Sequence, residues 1–265
     1  TACRVHPNLS DRPRALLPMP DVPVILITGA ARRIGAGIAR ALHRRGCDVV
    51  IHYRQSAVEA DALCASLCAV RADSAHAVPG DLSSAEGCAA VIHAALAWRG
   101  RLDGLVNNAS TFVRSDLGGV DEPHWAHLMD GNPKAAFFCS QAAAPALRAS
   151  RGAIVNVCDA RTDRPLPGFS VYTAAKAAIV SLTRSLALEL APQVRVNAIS
   201  PGSLTWPEDD TFNAAERARI EAAIPLARIG DGADMGQVAF FLLREAHYVT
   251  GQVIAVDGGA GLASP

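Results

Sequence analysis

The sequence predicts an α/β fold, a doubly wound parallel sheet of about seven strands with helices on both faces. Three observations carry that expectation. Short apolar runs bounded by turn residues alternate with helical segments along the chain. The first apolar run passes through a glycine-containing turn directly into an alanine-rich helix. No linker-like stretch or internal repeat interrupts residues 22–265, which are therefore expected to form one domain.

Half of the 265 residues are hydrophobic, enough for one large core. The 25 basic and 25 acidic side chains balance, which argues against a general binder of nucleic acid or anionic membrane. No apolar run reaches the ~18 residues of a membrane span. The seven cysteines are scattered and lack the paired spacing of a zinc set. They fit small buried side chains in a reducing cytosol, so a cytoplasmic setting is expected. Residues 1–21 differ from the rest. Pro7, Pro13, Pro18, Pro20 and three arginines surround only the short apolar cluster Ala15-Leu-Leu17. This reads as a loosely ordered extension rather than a signal peptide.

The first strand, Val22 to Ile27, runs into Thr28-Gly-Ala-Ala-Arg-Arg-Ile-Gly35 and a helix to about Arg45. Strand, glycine turn and helix in that order suit a dinucleotide, whose pyrophosphate faces the helix N-terminus. Arg33 occupies a position where a familiar fingerprint has glycine. It either reaches the phosphates or a substrate beside them, or is a solvated helix-start arginine. The second strand, Cys47 to Tyr53, ends in His52-Tyr-Arg-Gln-Ser56. No acid stands there to hold a ribose 2′-hydroxyl; the first is Glu59. Arg54 and Ser56, with Arg32 or Arg33 nearby, suit a 2′-phosphate and favour NADPH over NADH.

A helix over about Ala57 to Val70 leads to a short strand around His76 to Val78. Ser83-Ser-Ala-Glu86 has capping-box spacing, and Asp81 is either a helix-start acid or an acceptor for the adenine amine. The strand Leu102 to Val106 delivers Asn107-Asn-Ala-Ser-Thr-Phe112. Phe112 either offers a flat face to a flat ligand or folds into the core. A long helical pattern from about Pro123 to Ala149 carries Asn132, which suits a proton relay or a buried structural role.

Ala153 to Val157 reads as a buried strand, placing Asp159 at its C-terminal end, where open α/β sheets bind ligands. Tyr172 and Lys176 share one face of the next helix, which runs to about Leu190. An ammonium beside a phenol lowers its pKa from about 10, so Tyr172 is expected to exchange a proton near neutral pH. The alternative is a surface helix pair. After the strand Val194 to Ile199, Pro201-Gly-Ser-Leu-Thr-Trp-Pro-Glu-Asp-Asp210 reads as a lid with Trp206 as its apolar contact, or as an ordinary surface loop. A helix over Asp234 to Leu243 and a strand over Val253 to Val256, with Asp257-Gly-Gly259, close the sheet.

Thr28-Gly29, Asn107-Asn-Ala109, Tyr172-x-x-x-Lys176, Pro201-Gly202 and Asp257-Gly-Gly259 stand in the order of the short-chain dehydrogenase/reductase superfamily, which the chain resembles over roughly residues 22–262. Within it the sequence is most similar to the pteridine reductases, including bacterial ones related to dihydromonapterin reductase. Arg33, the His-Tyr-Arg-Gln-Ser run, Asn-Ala-Ser instead of Asn-Ala-Gly, and Asp159 carry this closer likeness. Common carbonyl reductases of the superfamily have serine at position 159, which donates a hydrogen bond to the substrate carbonyl. A carboxylate only accepts, and would repel a developing alkoxide.

The resemblance implies a Rossmann-like NADPH-binding domain. Its cofactor site would comprise Gly29, Arg33 and Ile34 at the first turn, His52, Tyr53, Arg54 and Ser56 after the second strand, and Asp81 and Leu82. Asn108, Ala109 and Ser110, Lys176, and Pro201, Gly202 and Ser203 would complete it. Tyr172, Lys176 and Asp159 would be catalytic, delivering a proton as hydride passes to a dihydropterin. The substrate, a pterin or folate such as dihydrobiopterin, dihydromonapterin or dihydrofolate, would meet Arg33, Ser110, Phe112, Asp159, Tyr172 and Trp206. Gln55, where some relatives have arginine, implies a weaker hold on the 2′-phosphate. Relatives are usually tetramers, so a homotetramer is expected, with no metal. The rival expectations are an NADPH-dependent carbonyl or 3-oxoacyl reductase and a non-catalytic NADP(H)-binding regulator.

Overall fold

A computed structural model describes residues 22–206 and 213–262. The extension over residues 1–21 and the acidic part of the expected lid, Glu208 to Asp210, lie outside the described residues. The strands are β1 (Val24–Ile27), β2 (Asp48–Tyr53), β3 (Ala75–Pro79), β4 (Gly104–Asn107), β5 (Ala153–Val157), β6 (Arg195–Pro201) and β7 (Val253–Val256). All seven pair in parallel in the order β3-β2-β1-β4-β5-β6-β7. The order reverses between β1 and β4, which opens a crevice at the carboxyl ends of the strands.

The helices are α1 (Arg33–Arg44), α2 (Ala57–Val70), α3 (Ala85–Arg99), α4 (Glu122–Met129), α5 (Ala135–Ser150), α6 (Ser170–Glu189), α7 (Ala214–Ala222) and α8 (Gly232–Phe240). Side chains alternate across each strand, so one apolar run feeds two cores. Ile25 and Ile27 pack in a cluster with residues of α1, α2 and α8. Val24 and Leu26 belong to the opposite cluster, built with α3, α5 and α6. No helix among the described residues is long and apolar enough to cross a membrane.

Several boundaries differ from the sequence expectation. The helix expected from about Pro123 to Ala149 is α4 and α5 joined by a π-helical turn over Asp130–Lys134. Pro133 lies inside that turn and has no N–H to donate, so the regular ladder is broken there. The capping box expected at Ser83 is displaced by one residue. Ser84 caps α3, accepting from the Gly87 N–H at 3.0 Å, while Asp81 accepts from the Ser83 N–H at 2.9 Å. Helix α7 was not expected, because Ala214–Ala222 buries no side chain and so shows no apolar stripe. Its start is nevertheless fixed by a reciprocal box between Asn213 and Glu216.

Helices α1 and α8 cross backbone to backbone: a Cβ on Gly37 would fall 2.4 Å from Gly232 Cα. Gly37→Ala is therefore expected to cost about 1–3 kcal/mol by overpacking. Urea unfolding measures this, and an unchanged midpoint would contradict so close a crossing.

Candidate active site

The carboxyl ends of the strands open into a cleft of about 1170 Å³. That exceeds the ~300–1,000 Å³ typical of one small-ligand site and leaves room for a second molecule. The start of α1 forms part of its wall through Arg32 to Gly35. Arg32 makes no side-chain cap, and the first turn holds no acid. The leading N–H groups of α1 are thus not claimed by a side chain, and they suit a phosphate.

Three side chains hold the turn before α1. Thr28 Oγ1 accepts from the Asn108 and Ala109 N–H groups, each at 2.9 Å. Asn108 Nδ2 donates to the Thr28 carbonyl at 2.9 Å and the Gly29 carbonyl at 3.1 Å. His52 Nδ1 accepts from the Gly29 N–H at 3.0 Å, so its proton sits on Nε2 and is donated to the Gly80 carbonyl at 3.2 Å. Burial pushes the His52 pKa down to about 4, which keeps this neutral tautomer. His52 thus braces the turn, and it also lines the cleft. Gly29 has φ +62°, and a Cβ on Gly35 would lie 2.4 Å from the Gly29 carbonyl oxygen. Arg33 itself holds φ +50°, a left-handed conformation that favours glycine, and its side chain lines the cleft.

Beyond β2, Arg54 lines the cleft and Arg32 pairs with Glu59 at 3.5 Å on the surface. Asp81 and Leu82 also reach the wall, and the Ser83 N–H holds the Asp81 carboxyl below its usual range. Tyr53 packs against the core instead, and Ser56 precedes α2. Neither lines the cleft, and Lys176 and Pro201 are likewise set behind its wall. Ile34, Gly202 and Ser203 do line it.

At the end of β5, the Tyr172 hydroxyl donates to Asp159 Oδ2 at 2.6 Å, and Asp159 Oδ1 accepts from the Arg161 N–H at 2.8 Å. Lys176 is 2% exposed, and its Nζ donates to the Val157 carbonyl at 3.1 Å. An ammonium carries three N–H donors, so two remain for oxygens entering the site. Burial lowers the Lys176 pKa to about 8, against the opposing pull of Asp159. The Tyr172 phenol is pushed up, not down as the spacing suggested. Burial is the first cause and the Asp159 carboxylate the second. The ammonium is more distant, 5.8 Å from the centre of the Tyr172 ring.

Phe112 is exposed at 56%, stacked on Phe169 at 4.8 Å and edge-on to Tyr172 at 4.7 Å. It lines the cleft and is not a core residue. Ser110 donates its proton to Asn132 Oδ1 at 2.7 Å, while Asn132 Nδ2 donates to Thr111 and Leu128. The buried Asn132 therefore positions the Ser110 loop. Trp206 reaches the cleft, with Nε1 donating to Glu221 Oε1 at 3.3 Å. Sequence reasoning missed the bracing role of Thr28 and the guanidinium groups of Arg161, Arg164 and Arg219 in the same wall. Arginines in unpatterned loops and on a polar helix carry no local signal of what they face.

Known proteins are similar to this chain over most of its length. A family model described as enoyl-(acyl carrier protein) reductase matches residues 29–261. Pteridine reductase 1 of Leishmania tarentolae is 38% identical, over 92% of this chain and 98% of its own. The 3-oxoacyl-[acyl-carrier-protein] reductase FabG of Staphylococcus aureus is 36% identical, over 88% of this chain and 96% of its own. An uncharacterized oxidoreductase of Methylorubrum extorquens is also 36% identical, over 89% and 96%.

Alkaline difference spectra of the cofactor-free protein and its Tyr172→Phe variant are expected to coincide up to pH ~10, the ordinary phenol value. Asp159→Asn should bring the Tyr172 transition down, because it removes a negative charge beside the phenol. A Tyr172 phenolate appearing near neutral pH would contradict the geometry.

Proposed function

Because the chain belongs to the short-chain dehydrogenase/reductase family of NAD(P)H-using oxidoreductases, we propose that it is an NADPH-dependent reductase of dihydropterins. The observation that carries this reading is the Asp159 carboxylate, 2.6 Å from the Tyr172 hydroxyl in the cleft. A ketone needs hydrogen-bond donors around its oxygen. A carboxylate supplies acceptors, which suit the amine and ring N–H groups of a reduced pterin. Ser110 adds to the same preference, since its proton goes to Asn132 and its lone pairs are left for a substrate donor. Phe112, stacked on Phe169, offers a flat ring a flat face. The similarity to a protein named pteridine reductase 1 supports the same substrate class.

The geometry is compatible with the following roles. A nicotinamide cofactor held in the cleft would supply the hydride, for a carbon of the pterin's pyrazine ring. Tyr172 keeps its proton on the hydroxyl, since both burial and Asp159 oppose phenolate. It would pass that proton to the adjacent ring nitrogen, acting as a general acid. Asp159 orients the hydroxyl and receives pterin N–H groups. Lys176, with two free donors, would hold the ribose hydroxyls of the cofactor and offset the Asp159 charge. Arg33 and Arg54 would take the cofactor phosphates, with the N-terminus of α1 beside them. His52, Thr28 and Asn108 hold that turn in shape. A homotetrameric assembly, carried by the family resemblance, and a cytoplasmic setting, carried by the scattered cysteines, belong to the same proposal.

A second reading, 3-oxoacyl reductase, is favoured by the similarity to FabG. It would require Asp159 to give up its role as an acceptor.

Asp159→Ser is expected to reduce kcat/KM for a dihydropterin by about 100-fold or more, within the usual range for lost acid–base assistance. Tyr172→Phe should abolish turnover while NADPH still binds. Unchanged pterin kinetics in Asp159→Ser would remove the basis of the assignment. Loss of NADPH binding in Tyr172→Phe would show that the phenol serves the cofactor instead.

A further inference from the structure

We propose that Arg161 and Arg219 form a subsite for an anionic substituent on the substrate, so that a dihydropterin with a charged tail is preferred to a neutral one. This rests on the pteridine reading above. Besides Asp159 and Tyr172 the cleft is lined by the segment after β5, with Arg161, Asp163 and Arg164, and by Arg219 and Ile220 of α7.

The arginines of this wall are not held in ion pairs. Among the described residues, neither the Arg161 nor the Arg219 guanidinium has an ion-pair partner. The Arg164 guanidinium is directed to the carbonyls of Ala260 and Gly261, which carry no charge. The acids are mostly engaged elsewhere. Asp159 accepts from Tyr172 and the Arg161 N–H, and Asp257 accepts from the Gly259 and Gly261 N–H groups. Asp130 pairs with Lys134. Asp163 makes no ion pair among the described residues either, and Asp159 and Asp257 are hydrogen-bonded only to neutral groups. Two guanidinium groups facing a concave wall focus a positive potential and match carboxylate or phosphate oxygens bidentately.

Arg161 stands beside the reacting groups, and Arg219 lines the same cleft. Arg161 is two residues from Asp159, and its charge reaches Tyr172, where it favours phenolate against the larger opposing effects. The cofactor phosphates have their own wall at the start of α1 and at Arg54. Trp206 and Ile220 line the same cleft and give an aromatic or alkyl linker something to pack on.

The test compares KM for neutral dihydrobiopterin, for dihydrofolate with its carboxylate tail, and for a dihydropterin phosphate. The proteins are the wild type, Arg161→Gln, Arg219→Gln and the double variant, each at low and high salt. At low salt the wild type should show a KM about tenfold lower for a charged substrate, the scale of one charge-assisted contact. Each substitution, and added salt, should shrink that ratio. Whichever charged compound responds identifies carboxylate or phosphate as the group bound. Equal KM for charged and neutral substrates in the wild type, or a ratio unmoved in the double variant, overturns the proposal. A raised NADPH dissociation constant in the variants would assign the arginines to the cofactor and overturn it as well. If the wild type turns over none of the dihydropterins, the pteridine reading fails and takes this one with it. Turnover with no charge preference removes only the subsite.

Discussion

The hydrogen bond from the Tyr172 hydroxyl to the Asp159 carboxylate, at 2.6 Å, is the contact to which the other features of the site refer. It sits beside an ammonium that water hardly reaches, since Lys176 is almost wholly buried. The Asp159 carboxylate accepts from the phenol and from the Arg161 N–H, and its charge favours the ammonium form of Lys176. The consequence is chemical. The phenol is held in its protonated form, as a donor, and the carboxylate is presented as an acceptor, so the pair suits a substrate that needs both.

The sheet holds these groups where they are. Strand β5 is buried on both faces and ends two residues before Asp159, so the carboxylate emerges directly from the core of the sheet. Helix α6 begins two residues before Tyr172 and carries Lys176 one turn further on. At the other end of the cleft the order is set by backbone. Thr28, Asn108 and His52 each tie the turn after β1 to a neighbouring strand, leaving the first N–H groups of α1 for an anion. Function at that end depends on the shape of the main chain more than on any one charged side chain.

What was legible in the sequence was local. The β5 run, the limits of α2 and the one-face placement of Tyr172 and Lys176 follow from periodicity over a few residues, and the structure agrees with each. The order of the glycine, asparagine and Tyr-Lys motifs made the family legible too. What was not legible depends on partners far apart in the chain. The resemblance implied that His52 meets the cofactor, and its bonds to Gly29 and Gly80 show that it also braces the turn. The spacing of Lys176 suggested a lowered phenol pKa, but burial and a carboxylate 13 residues away reverse the direction. Pro133 is visible in the sequence, yet the π-helical turn it occupies, and the placing of Asn132 against Ser110, require the packed helix pair.

The most direct test of the central claim is turnover of reduced nicotinamide by the wild-type protein, with a dihydropterin and a 3-oxoacyl thioester offered in parallel. An acceptor-lined site predicts that NADPH is consumed with the dihydropterin and that the thioester ketone is inert. Turnover of the ketone with the dihydropterin inert would mean that Asp159 does not set the substrate, and the chain would be a carbonyl reductase with an unusual acid beside its tyrosine.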